Sequence, residues 1–304
     1  MPNFNIIKPS VERIDEKDNL KRIELAGRVC YKSESRITED SAEAFCKRIL
    51  ASGHHSVLEH SNVIVKVPRN IFERIRGAMA LYEEVTEKKP YLSYEYLGNQ
   101  VDAVIVSGNV RAWYDVLHIG SITLGFAGDP ILDVNDCENL TPYIITPDSL
   151  PDHLRHRYDR ITLRIVCDRG VSHELVRHRV MSFSQESTRY VNYGKRGFTF
   201  IEPWWWNEMR GVMKHYVLAT MQRSADVYQL MIDEGATPQL ARSILPNQIK
   251  TEVVVTATPL QWAEFLRLRM DKAAHPDMQR IAHMVHDALG DDIPSIEEVV
   301  NDGH

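Results

Sequence analysis

The sequence predicts an α+β fold, a mixed, antiparallel-rich sheet flanked by helices, with a large insertion between two strands. Three observations lead there. The β-branched runs "SNVIVKV" and "RITLRIVCD" read as strands. Helical stripes, with apolar residues three and four apart, fill most of the C-terminal third. Residues 68–159, between the two quoted runs, carry mixed signals and read as an insertion or subdomain between two strands of one sheet.

In chain order, "EDSAEAFCKRILASG" sets Ala42, Phe45, Ile49 and Leu50 on one helical stripe that stops at Gly53. "SNVIVKV" follows as a strand. The insertion holds a further strand candidate, "VDAVIVSGN", followed by "VRAWYDVL". After "RITLRIVCD", the stretch "DRGVSHELVRHRV" turns helical, with Val171, Leu175, Val176 and Val180 on one side. "GFTFIEPWWW" returns to an extended run. Helical segments follow in "EMRGVMKHYVLATMQRSADVYQLMIDEG", "PQLARSIL" and "PLQWAEFLRLRMDKAAH", and the β-rich "KTEVVVTAT" sits between the last two. Residues 1–304 are thus expected to form a single domain with the insertion at about 68–159.

Composition narrows the function classes. The 304 residues are 43% hydrophobic and 26% charged, an ordinary globular balance. A net charge of −6 argues against a nucleic-acid scaffold, which needs a broad basic surface. No apolar run approaches a membrane span, and "MPNFNIIKPSVERIDEK" lacks the apolar core of a signal peptide. Cys30, Cys46, Cys137 and Cys167 stand apart with no C-x-x-C pair, which suits reduced thiols in a cytoplasmic protein and not a zinc site.

The positive charge is concentrated. From His153 to Arg189 there are eight arginines and no lysine. Arginine throughout favours planar, bidentate recognition of phosphate, carboxylate or a heterocycle edge. The bland alternative is a solvated helix face laced with surface ion pairs, and the "RHR" at Arg155 to Arg157 is read that way. "RHRVMSFSQESTRY" is different, because Ser182, Ser184, Ser187 and Thr188 follow its arginines and would suit a phosphate-cradling loop. Successive side chains near a helix end diverge by about 100°. A site using Arg177, His178 and Arg179 together would therefore have to serve two ligands, or sit where subunits meet.

This segment resembles the signature of the flavin-dependent thymidylate synthases (the ThyX family), R-H-R-x-x-S-x-x-x-x-S-x-R, at Arg177, His178, Arg179, Ser182, Ser187 and Arg189. "GHHSVLEH" (Gly53 to His60) is similar to the family's histidine segment, and "LARSILP" and "FLRLR" to its arginine-bearing C-terminal pieces. The resemblance implies a ThyX-like fold and a methyltransferase converting dUMP to dTMP. Its cofactor would be FAD, with NADPH as reductant and 5,10-methylenetetrahydrofolate as carbon donor. It also implies a homotetramer whose sites combine subunits.

By the same resemblance, His178 and Arg179 would contact the flavin, with Arg177 shared between flavin and nucleotide. His54 and Ser56 would lie beside the flavin ring. Gln185, Ser187 and Arg189, with Glu186 and Thr188 among them and Glu174 and Arg242 assisting, would hold dUMP; Gln185 also counts toward the flavin. Arg269 would sit against the uracil and act catalytically by favouring its N3-ionised form. The chain departs from the pattern at Ser184-Gln185, where the family often has Asn-Glu. It departs again at Thr258 and Leu260, which replace polar residues, and at Glu264.

Other motifs have plainer readings. His54, His55 and His60 lack metal-ligand spacing, so no metal is expected. Trp204-Trp205-Trp206 suits a packed strand end better than a ring-stacking platform. Arg111 in "SGNVRAW" is a turn residue that could also reach a ligand. A thymidylate synthase using a cysteine nucleophile is disfavoured, because no cysteine lies in a Pro-Cys context or within the serine–arginine segment. Two alternatives stay open: a flavin and folate enzyme acting on another pyrimidine nucleotide, and a catalytically silent nucleotide-binding homologue.

Overall fold

A computed structural model describes residues 4–97, 103–120 and 140–294. Cys137 lies outside the described residues. The chain runs β1 (Phe4–Ile7), β2 (Ser10–Ile14), α1 (Asn19–Tyr31), α2 (Ser41–Ala51), β3 (Asn62–Pro68), α3 (Arg69–Thr86), β4 (Ser93–Tyr96), β5 (Ala103–Asn109), α4 (Val110–Gly120), β6 (Ile144–Ile145) and α5 (Asp152–Tyr158). It continues with β7 (Ile161–Asp168), α6 (Arg169–Leu175), β8 (Ser182–Gln185), α7 (Tyr193–Arg196), β9 (Phe198–Ile201), α8 (Gly211–Asp233), α9 (Pro238–Ala241), β10 (Lys250–Ala257), α10 (Pro259–Arg269) and α11 (Pro276–Leu289). Two compact units result: one takes the residues up to Asp15, Leu25–Ile37 and those from Ile161, the other Glu16–Glu24 and Thr38–Arg160. The α+β class and the antiparallel pairing are as the sequence predicts.

In the first unit the sheet order is β2-β7-β10-β8, antiparallel throughout. Strand alternation decides its two faces. Ile161, Leu163, Ile165 and Cys167 of β7, with Val253, Val255 and Ala257 of β10, pack against α6, α10 and α11 through Trp262, Phe265, Ile281 and Val285. The intervening residues face the other way. Val254 meets Ala26 and Val29 of α1, and the hydroxyls of Thr162 and Thr256 lie 2.8 Å apart. Trp262 is fully buried and donates its indole N–H to Ile161 O at 3.1 Å, so its one polar atom is satisfied. Truncating Trp262 or Phe265 to alanine would cost about 3–5 kcal/mol.

Beside this sheet, β1 and β9 form a parallel pair from Phe4↔Phe198 to Ile7↔Ile201. Phe198, Phe200, Met221, Tyr228 and Ala241 close a core between this pair and α8 and α9. Gly197, at φ +84°, turns α7 directly into β9 through the left-handed region that favours glycine.

The second unit has its own antiparallel sheet, ordered β4-β5-β3-β6. Val63, Val65, Val67, Val104 and Val106 face α3 and α4 through Phe72, Ile75, Trp113 and Leu117. Ile64 and Ile105 point oppositely, toward Leu154 and Tyr158 of α5. The stripe expected of α2 buries Phe45, Cys46 and Ile49 against Ile23, Val57 and Leu58.

Two details differ from expectation. β3 and β7 belong to different sheets, because residues 68–159 supply β4, β5 and β6, which are the partners of β3. The helix expected through Val180 stops at Leu175. Asp168 caps its start by accepting from Val171 N at 2.8 Å, and the chain then turns through His178 N to Leu175 O at 3.2 Å. Val176 and Val180 are exposed and build no apolar face. The reason is topological: the chain must reverse into β8 at Ser182 to pair with β10.

Candidate active site

The loop from Val176 to Met181 presents the Arg-His-Arg run as the sequence directions imply. Arg177 and Arg179 are exposed, and among the described residues their guanidinium groups have no partner. His178 between them is half-buried and packs edge-on against Phe265, with ring centroids 5.0 Å apart.

Arg269 arrives from the far end of α10. Its Nε–H donates to His178 Nε2 at 2.9 Å, Nη1 donates to Glu174 Oε2 at 3.0 Å, and Nη2 donates to Glu174 O at 3.2 Å. The structure therefore brings together Glu174, His178 and Arg269, all singled out in the sequence. Burial, then the Arg269 charge, push the His178 pKa down to about 4. Five N–H groups on an arginine less three engaged leave two for a ligand.

Beyond β8 the side chains divide. Gln185 donates its amide to Ser172 Oγ at 2.9 Å and Thr251 Oγ1 at 3.2 Å, so its donors are spent inside the unit. Glu186 is 2% exposed. It accepts from the Tyr193 hydroxyl at 2.9 Å, while Lys250 Nζ lies 2.9 Å from Oε2 without hydrogen-bond alignment. Ser187 N–H donates to Cys30 O at 2.9 Å, and its hydroxyl accepts from Arg189 N at 3.3 Å. Arg242 Nη1 donates to Thr188 Oγ1 at 3.3 Å. Arg189 donates to Gln239 Oε1 at 3.2 Å and lies over the Tyr190 ring. Ser187, Thr188, Arg189 and Arg242 thus form one cluster. The sequence reading missed Tyr193 and Lys250; the only signal was a lysine opening β10, two residues before Glu252 on the same strand.

Thr258 caps α10 reciprocally with Gln261, so its hydroxyl is committed to the helix. Glu264 is paired with Arg267 at 2.6 Å. Trp204 N–H donates to Asp277 Oδ1 at 2.8 Å, and the Lys214 ammonium sits 4.8 Å from the Trp206 ring.

His54 and Ser56 lie in the second unit, at the 3₁₀ turn His55–His60, and both are exposed. His55 packs on Tyr114, while His60 is fully buried and held down to about 3 by burial and by Arg22. Arg111 is ion-paired with Glu59 at 2.6 Å, which accounts for it without a ligand. Among the described residues no group of three or more His, Cys, Asp or Glu is arranged to hold a metal ion.

The fold and this arrangement define a class: an α+β protein in which an arginine at the end of α10 is held against the histidine of an Arg-His-Arg loop. A family model described as "Thymidylate synthase complementing protein" matches residues 13–86 and 157–295, and the chain belongs to that family. The chain is similar to the flavin-dependent thymidylate synthase of Geobacter sulfurreducens, 34% identical over 38% of this chain and 49% of the relative. It is similar also to those of Pyrococcus furiosus (30%; 38% and 48%) and Corynebacterium diphtheriae (29%; 42% and 56%). The chain spans about half the length of these relatives.

Proposed function

We propose that the protein is a flavin-dependent thymidylate synthase that converts dUMP to dTMP, with FAD as cofactor, 5,10-methylenetetrahydrofolate as carbon donor and NADPH as reductant. The observation that carries this reading is Arg269 held against His178 and Glu174, next to the signature loop. Membership of the family and the names of its relatives support the reaction class. The choice of NADPH and of the folate rests on the resemblance alone.

The residues fit a flavin dinucleotide. Arg177 and Arg179 offer uncommitted guanidinium groups, and His178 keeps Nδ1–H open, a donor set suited to a pyrophosphate and a ring carbonyl. The flavin contacts of His54 and Ser56 rest on the resemblance alone. Hydride delivery to the pyrimidine is the chemistry that FAD supplies when bound.

For the nucleotide, Arg189 and Arg242 hold the phosphate, with Ser187 and Thr188 as hydroxyl partners. Arg269 directs its two remaining N–H groups to the uracil edge, where a fixed cation stabilises negative charge on the ring. Glu174 and His178 keep that fork in one orientation. Gln185 contributes through its carbonyl oxygen, since its amide hydrogens are taken. Glu186 serves the nucleotide only indirectly, by fixing the backbone before Ser187.

A homotetramer belongs to this reading. Val212, Met213 and Tyr216 are all more than half exposed on α8, an apolar surface that a further subunit would cover. Among the described residues no helix is long and apolar enough to cross a membrane. The free thiols of Cys30, Cys46 and Cys167 suit a cytoplasmic setting.

The test is direct. Protein supplied with FAD, NADPH, the folate and dUMP should form dTMP, measured by chromatography. Binding of dUMP without product would make it a silent nucleotide binder, and product from another pyrimidine nucleotide alone would move the substrate. Failure to bind either dUMP or FAD would overturn the reading.

A further inference from the structure

Glu186 stands directly before Ser187, and its backbone is held on every side. Its N–H donates to Glu252 O at 2.8 Å, and its carbonyl oxygen accepts from Arg169 Nη1 at 3.4 Å. The next N–H, that of Ser187, donates to Cys30 O at 2.9 Å. Both polar atoms of the planar Glu186–Ser187 peptide are thus engaged, one by α6 and the other by α1.

The side chain is fixed as well. Oε1 accepts from the Tyr193 hydroxyl at 2.9 Å, and Oε2 lies 2.9 Å from Lys250 Nζ. Each oxygen therefore has its own partner, and both partners are anchored. The buried Tyr193 ring stacks on Phe198 at 6.2 Å and meets Tyr228 edge-on at 6.0 Å between centroids. Burial, then the charge of Glu186, push the phenol pKa up, so the hydroxyl stays a donor. Lys250 is shared with Glu252, which also pairs with Lys32 and Arg164.

Burying a carboxylate in this way adds little net stability, because desolvation offsets most of the Coulomb attraction. What it does supply is one conformation of residue 186, and with it the direction in which the chain enters the next turn. That turn is closed by Tyr190 N and Val191 N, which donate to Ser187 O at 3.2 and 3.0 Å. Ser187, Thr188 and Arg189, assigned above to the nucleotide, lie within it.

We propose that Tyr193 is a positioning residue for the nucleotide: its hydroxyl, acting through Glu186 with Lys250 on the other oxygen, holds the Ser187–Arg189 turn in the conformation that receives the phosphate of dUMP. The inference rests on the synthase reading given above. Tyr193 acts on the turn and not on the reacting atoms, so its effect falls on affinity. Without the hydroxyl the nucleotide must order the turn as it binds, and the apparent affinity drops by the fraction of turns already in place.

The experiment compares the full-length parent with Tyr193→Phe, Glu186→Ala and the double variant, using calorimetry with dUMP, visible absorbance with FAD and steady-state rates. Tyr193→Phe keeps the ring between Phe198 and Tyr228. It should raise the Kd and KM for dUMP at least about fivefold, leave kcat within about twofold and leave FAD affinity unchanged. In the Glu186→Ala background the same change should add nothing, because the hydroxyl then has no carboxylate to act through. Lys250→Gln, at the other oxygen, should weaken dUMP in the same direction and decides the matter if Tyr193→Phe does not fold. Given a parent that binds dUMP, three results each overturn this proposal alone: unchanged dUMP affinity in the variant, an equal loss for dUMP and FAD, or a fall in kcat with KM unchanged. A parent that binds no dUMP overturns the synthase reading, and this proposal with it.

Discussion

Arg269 donates to His178 through Nε–H, at 2.9 Å, and so decides which nitrogen of the imidazole carries the proton. An arginine is always protonated, so His178 Nε2 must accept and Nδ1 must hold the hydrogen. The family residue expected to touch the flavin is then a neutral donor. Arg269→Gln should raise the His178 titration midpoint from about 4 toward the ordinary value, followed by ¹⁵N resonance of the ring. A midpoint that stays put would show that burial alone sets it.

Turnover should follow the same geometry. Arg269→Lys should rescue poorly, because an ammonium cannot reach His178, Glu174 and a ligand together. Steady-state rates of dTMP formation provide the check, and near-normal rates in the lysine variant would exclude a direct role.

Acid should destabilise the fold through buried histidines. His60 has a folded pKa of about 3 and His178 about 4, both below the unfolded value of 6.5. Between these limits the unfolded chain binds more protons, so stability falls as pH drops from about 6.5 toward 4. Urea midpoints measured across that range should decline, and His60→Gln should flatten the decline. Equal slopes for the variant and the parent would contradict this assignment.

Ser187→Ala should weaken dUMP binding by about 0.5–1.5 kcal/mol, the worth of one ordinary hydrogen bond, and leave turnover at saturating dUMP measurable. The hydroxyl accepts from Arg189 N, and among the described residues no base engages it, so it is poorly placed as a nucleophile. Complete loss of turnover in the folded, FAD-loaded variant would reverse that conclusion.

Thr258→Ala removes one half of the capping box of α10 and should lower stability by about 1 kcal/mol in denaturant titrations. Because Thr258 and Leu260 stand where the family places polar residues, FAD should also be lost more readily on dilution, read as falling visible absorbance in the eluate.

Light scattering should report a tetramer, about four times the 35.0 kDa chain. Tyr216→Glu on the exposed face of α8 should shift it to smaller species. An active monomer would dismiss the shared-site reading.

Much of the fold was legible in the sequence where a pattern was local. The β-branched runs became β3, β5, β7 and β10, and the stripe of Ala42, Phe45 and Ile49 became the buried face of α2. What escaped was non-local. Nothing in "SNVIVKV" tells that its partner begins at Ala103, so the partition into two sheets was hidden. The end of α6 was missed because Val176 and Val180 keep the helical spacing while the chain turns for β8. The signature supplied the residues around Arg269, but not the direction of Glu186. Strand alternation ends with β8, and Tyr193 and Lys250, which capture Glu186, lie outside the positions that the signature fixes.

The parallel pairing of β1 with β9 carries a consequence for biosynthesis. Phe4 meets Phe198, so β1 leaves the ribosome well before its partner is made. At about 5–20 residues per second, β1 waits on the order of 10–40 s before β9 exists to receive it. During that interval Phe4 and Ile6, which finally rest on the core of α8, are exposed to whatever binds apolar nascent chains. β1 can therefore lock only once the chain through Ile201 has been synthesised.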